Sequence, residues 1–121
     1  MDSIEFREQL KLRTKAFALR IIRLYQSLPK NAESQIIGKQ LLRSATSVAA
    51  NYRAACRSRS NAEFFSKITI VVEEADESLF WLELLVEAGI VKAELLVELC
   101  RENEEIIKIM VVARKNSEKI K

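Results

Sequence analysis

Five cations fall on one stretch of the chain at spacings a helix would align. Lys39, Arg43, Arg53 and Arg57 follow a four-three rhythm completed by Thr46 and Ala50, and Arg59 comes in the turn beyond. A row of guanidinium and ammonium groups on one face suits phosphate oxygens. Lys11, Lys15 and Arg23 form a second basic group on the preceding helix. The chemistry these residues offer is electrostatic. Nothing signals catalysis: histidine is absent, which removes the commonest general base and the commonest transition-metal ligand. No serine sits in a nucleophile elbow, there is no glycine-rich phosphate loop, and the Glu-x-x-His pairs of a di-iron bundle cannot be built. The carboxylates Glu73, Glu74, Asp76 and Glu77 cluster, with Glu73 and Glu77 on one face. Such a cluster is ordinarily a solvated face or a partner for basic helices, with a hard cation as the rarer use. The expectation is a non-enzyme without metal or cofactor.

The elements that position these groups are helices. Among 121 residues, 49% are apolar while only two are glycine and one is proline, so few breakers interrupt the chain. Leu10, Thr14, Phe17, Ile21, Leu24 and Leu28 make a seam on the first helix, which Pro29 stops. Ile37, Leu41, Ser44, Val48, Asn51 and Ala55 do the same on the second, where Ala45, Ala49, Ala50, Ala54 and Ala55 leave little bulk and permit close helix approach. Asn31 is placed to cap that helix. Ser60 and Glu63 match a capping box before the third, whose seam is Phe64, Ile68, Val71, Ala75, Leu82 and Leu85, and Gly89 is placed to end it in a left-handed turn. Leu96, Leu99, Asn103, Ile106, Met110 and Ala113 form the seam of the fourth. The fold expected is all-α, an antiparallel up-down-up-down four-helix bundle with short loops. It is a single domain over residues 1–121, with helices at about 3–28, 33–57, 61–88 and 92–116.

Several residues raise questions this pattern leaves open. Leu12, Leu19 and Ile22 make a second apolar line on the first helix, and Phe80 and Trp81 widen the apolar girth of the third. Either the bundle wraps widely around these helices, or these residues are contacts in an oligomer. Asn51, on the inner seam, reads as a buried amide bonded to a neighbouring helix. Gly38 marks either a close helix approach or a tolerated glycine. Cys56 and Cys100 read as small buried thiols. The lysine-rich tail from Arg114 to Lys121 is expected to fray. No apolar run reaches membrane-spanning length and the first residues lack the apolar core of a signal peptide, so a cytoplasmic protein is expected.

Charge is unevenly divided. Residues 1–60 hold 12 Lys/Arg and 4 Asp/Glu, a net +8, whereas residues 61–121 hold 8 and 13, a net −5. Basic helices lying against acidic ones would produce this, within a subunit or between subunits; so would a surface meant for nucleic acid.

The run from Gln40 to Asn51 (QLLRSATSVAAN) resembles the second-helix signature of the bacterial "four helix bundle protein" family. Ser58 to Phe65 (SRSNAEFF) resembles the opening of its third helix, and Glu74 to Ser78 (EADES) with Trp81 to Leu85 (WLELL) its middle. That family includes proteins encoded in intervening sequences of bacterial 23S rRNA genes, and is similar to the accessory variability determinant of diversity-generating retroelements. Where many members continue after the asparagine with Ile-Ala-Glu-Gly, this chain has Tyr52, Arg53, Ala54 and Ala55, which marks a distinct branch. The resemblance implies a homo-oligomer of four-helix bundles, a pentameric ring above all. For the retroelement proteins it implies a basic ring that binds nucleic acid and a reverse transcriptase. The expectation is therefore an oligomeric protein holding structured RNA or DNA through the basic face of helices one and two. The alternative is a protein-interaction scaffold whose basic stripe is matched by acidic surfaces.

Overall fold

The computed structural model describes residues 3–120. They form α1 (Ser3–Ser27), α2 (Ala32–Cys56), α3 (Asn61–Glu87) and α4 (Ala93–Ile120), with no strand among the described residues. Each helix packs on the next across the short turns 28–31, 57–60 and 88–92, so neighbours run antiparallel. The bundle closes where α4 returns to α1, although those two helices meet only over a short stretch.

Each turn is set by local chemistry. Asn31, in extended backbone, accepts the N–H of Ser34 at 3.0 Å and so starts α2. Gln35 then ties the turn down, donating to the Pro29 carbonyl at 2.9 Å and accepting the Tyr25 hydroxyl at 2.9 Å. Ser60 accepts the N–H of Glu63 at 3.1 Å, and the Glu63 carboxylate reaches back to the N–H of Arg59 at 2.7 Å. This is a capping box displaced by one residue. At the far end of α3, Gly89 takes φ of 74°. Its N–H bonds to Val86 and that of Ile90 to Leu85, the paired bonds of a Schellman turn.

The seams expected from periodicity form the core. Phe17, Ile21, Leu41, Val48, Ile68, Val71, Leu82, Leu85, Ile106 and Met110 are all essentially inaccessible. Burying each contributes about 1.5–3 kcal/mol. Gly38 is a close approach: a Cβ there would stand 2.6 Å from Leu28 Cδ1 and 2.9 Å from Tyr25 Cδ1. Tyr25 in the last turn of α1, and Leu28 just beyond it, rest on α2 there.

Three expectations change. Asn51 is only half-buried and its amide donates to the carbonyl and hydroxyl of Ser47, one turn back on its own helix, at 2.9 and 2.8 Å. It joins no neighbouring helix, because its position rotates to the rim of the seam. The buried interhelical amide is Asn103, which donates to the Ala75 carbonyl at 2.9 Å. The tail from Arg114 does not fray up to Ile120: the helix continues, Ser117 is buried, and Asn61 donates to the Ser117 carbonyl. Lys121 lies outside the described residues. Cys56 and Cys100 are free thiols, but half-buried rather than buried.

Candidate nucleic-acid interface

The outer face of α2 carries the basic stripe, and its neighbour α3 decides how much of it is free. Ser44 and Ser78 face each other across the α2–α3 seam with hydroxyl oxygens 2.9 Å apart, which holds the two backbones close. Beside this contact, on the outer side of α2, Arg43 reaches α3. Its guanidinium donates to both oxygens of Glu74 at 3.2 Å and to Glu77 at 2.7 Å. The Trp81 indole N–H donates to the same Glu77 oxygen at 2.9 Å. Those two donors, the indole foremost, hold the Glu77 carboxyl below its ordinary range, while Glu74 and Glu77 raise the Arg43 guanidinium. Arg43 is therefore committed to an internal clamp although half of its side chain faces water.

The remaining stripe is open. Lys39, Arg53 and Arg57 are exposed, and among the described residues no carboxylate lies within ion-pair reach of them. Arg59 projects into solvent and touches Glu63 only at 3.4 Å. Lys39 and Arg57 mark the ends of a line about 27 Å long along α2, at 1.5 Å per residue. Thr46 and Ala50 between them are small, so a large polyanion could approach the helix. On α1, Lys11 bonds to Glu8 at 2.6 Å, while Lys15 and Arg23 are exposed and without a carboxylate in reach among the described residues. These two stand on α1, so the eight cations are spread over two helices and the turn after α2.

The uneven charge has a partial explanation inside the subunit. Besides the Arg43 clamp, Arg13 of α1 makes a two-pronged pair with Glu102 of α4 at 2.7 and 2.8 Å, which raises the arginine. The candidate oligomer residues divide. Leu12 is 70%, Leu19 44% and Phe80 52% exposed, whereas Ile22 and Trp81 are half-buried. Trp81 stacks edge-on against Phe80 with centroids 4.9 Å apart. Among the described residues, no three Cys, Asp or Glu side chains converge as a metal site would require. No helix among them is long and apolar enough to cross a membrane. Sequence reasoning missed the Arg43 clamp and the serine pair. The signals were partial: Ser44 on the α2 seam, Ser78 at seam spacing between Ala75 and Leu82, and the carboxylate cluster as a partner for basic helices.

The profile of the 23S rRNA-intervening sequence protein family matches residues 8–112. The chain belongs to that family. A solved relative, a protein of unknown function from the S23 ribosomal protein family of Bacteroides thetaiotaomicron, is 35% identical. It superposes with a TM-score of 0.81, covering 87% of this chain and 97% of that one. No curated protein matches the chain. The family region contains the α2 stripe, the Arg43 clamp and the Leu12–Leu19 line.

Proposed function

We propose that this family member is a non-enzymatic, cytoplasmic protein that assembles from copies of itself and holds nucleic acid, structured RNA foremost, on the outer face of α2. The observation that carries the reading is the line of Lys39, Arg53 and Arg57: three exposed cations on one helix, none with a carboxylate in reach among the described residues. Arginines and lysines so placed release counterions when they meet phosphates. Copies of the line in one assembly would act together, so a modest stripe per subunit gains by avidity. The family's name connects its members with an intervening sequence of 23S rRNA, which favours RNA over DNA. No row of exposed aromatics is present among the described residues to stack single-stranded bases, so the contacts would read backbone shape rather than sequence. The internal clamps at Arg43 and Arg13 favour the other reading, a protein scaffold whose charges serve the fold.

The two readings separate in a salt series with a structured RNA. Replacing Lys39, Arg53 and Arg57 together by alanine should flatten the log–log salt slope by about two to three for each subunit engaged. Arg43→Ala should leave that slope nearly unchanged, because its guanidinium already has partners. Weak binding that the triple substitution does not alter would sink the nucleic-acid reading and leave the scaffold.

A further inference from the structure

We propose that assembly joins the outward face of α1 in one copy to the outward face of α3 in the next. This rests on the self-assembly part of the proposed function and names the surfaces that would carry it.

The two faces are complementary. On α1, Leu12 and Leu19 stand two turns apart on the side opposite buried Phe17 and Ile21, at 70% and 44% exposure. Lys15 and Arg23 lie beside them, exposed and with no carboxylate in reach among the described residues. On α3, Phe80 and Ile70 are 52% and 39% exposed. Glu73 and Glu83 lie beside them, exposed and with no cation in reach among the described residues, since Arg43 takes Glu74 and Glu77 instead. One face is leucine with positive charge, the other aromatic with negative charge. Neither is complementary to itself.

The levels of these residues also agree. α1 and α3 run in the same direction at opposite corners of the bundle. Arg7 lies over the Phe64 ring, 4.8 Å from its centroid. Higher up, Arg13 is level with Glu102, whose neighbour Asn103 bonds to Ala75 of α3. These ties place Leu12 near the level of Ile70, Lys15 near Glu73, Leu19 near Phe80 and Arg23 near Glu83. Rotating one copy about an axis parallel to the bundle preserves those levels. Apolar residues then meet apolar ones and each cation meets a carboxylate at four successive heights. A contact between two different faces is head-to-tail, so it generates a ring when the rotation closes. Lys15 and Arg23 then serve assembly, and the α2 stripe is left for phosphate.

Leu19→Asp and Phe80→Asp test this, because each should disable one face and leave the other intact. Both positions are exposed, and circular dichroism with thermal melting confirms that each variant keeps its fold. Sedimentation should show the wild type as an oligomer and each variant alone as a monomer. Mixing the two variants should give a one-to-one dimer and stop there, each contributing its surviving face. Lys15→Glu and Glu73→Lys should each weaken assembly by about tenfold, the equivalent of 1.4 kcal/mol, and recover together. A wild type monomeric at all concentrations would overturn assembly itself. An oligomer that survives both aspartates, or variants that fail to pair on mixing, would overturn this interface while leaving assembly standing.

Discussion

Between α2 and α3 two small buried residues, Ser44 and Ser78, meet, and the hydroxyl pair and the Arg43 clamp close the seam from inside and outside. Between α1 and α4 the helices meet briefly, and one two-pronged Arg13–Glu102 pair spans them. At the end where α1 begins and α4 finishes, a cavity of about 520 Å³ opens, lined by Phe6, Tyr52, Phe64, Ile109, Val112 and Ala113. Burial there, with Cys56 alongside, pushes the Tyr52 phenol well above its ordinary value. Small residues let backbones approach and leave no slack; large ones with poor fit leave a groove. The helix that carries the basic stripe is thus tied to α3 by the serine pair and the Arg43 clamp, while α1 is held mainly through α2.

The same chemical change in both places tests that difference most severely. Ala45→Leu inserts bulk at a fully buried position of α2, and should destabilise by about 2–3 kcal/mol in urea unfolding. Ala113→Leu inserts the same atoms beside the cavity, where filling space offsets the strain, and should leave stability within about 0.5 kcal/mol of wild type or raise it. Equal losses at the two sites would mean that the α1–α4 groove is as tightly filled as the core around Ala45.

How far this contrast could be read in advance depended on what set each feature. The α1 seam was legible because a four-three run of large apolar residues has one low-energy outcome, and Pro29 could only end it. Asn31, Ser60 and Gly89 were legible because capping is decided within four residues. The alanines of α2 announced close approach, and Gly38 left two readings that only the position of Leu28 could separate. The Arg43 clamp was out of reach, since Glu74 and Glu77 are more than thirty residues away and their level on α3 depends on packing. Asn51 and Asn103 looked alike, each on a four-three seam. A small rotation of α2 sends Asn51 to the rim, whereas Asn103 meets the Ala75 carbonyl. The last turns of α4 were misjudged by composition: Lys115 faces water while Ser117 keeps the seam's spacing and meets Asn61.

A double-mutant cycle on Ser44 and Ser78 sharpens the α2 side. Each hydroxyl has a carbonyl of its own helix within reach to take its single proton, Leu41 and Glu74 respectively, so neither is left unsatisfied when its partner is cut to alanine. Each single change should cost about 0.5–1.5 kcal/mol. The coupling between them should be about 0.5–1 kcal/mol and favourable. Zero coupling would show that the seam is held by its shape, with the hydroxyls merely tolerated.

The smallest effect expected is also the one with a definite pH signature. The Arg43 clamp is half in water, so breaking it by Arg43→Ala should cost no more than about 1 kcal/mol near neutral pH. Its dependence on pH follows from Glu77. Because the folded protein holds this carboxyl below its ordinary value, the unfolded chain binds the proton first as pH falls. The stabilisation is complete above the ordinary glutamate range, about 4.3, and disappears as pH falls through the lower folded value. The indole of Trp81 is the leading cause of the shift, so Arg43→Ala should reduce the acid sensitivity only in part, and Trp81→Phe should reduce it more. Stability measured from pH 7 to pH 3 should therefore converge between wild type and Arg43→Ala towards the acid end. Curves that stay parallel throughout would mean that Arg43 stabilises α2 by packing its methylenes on α3, with the carboxylates incidental.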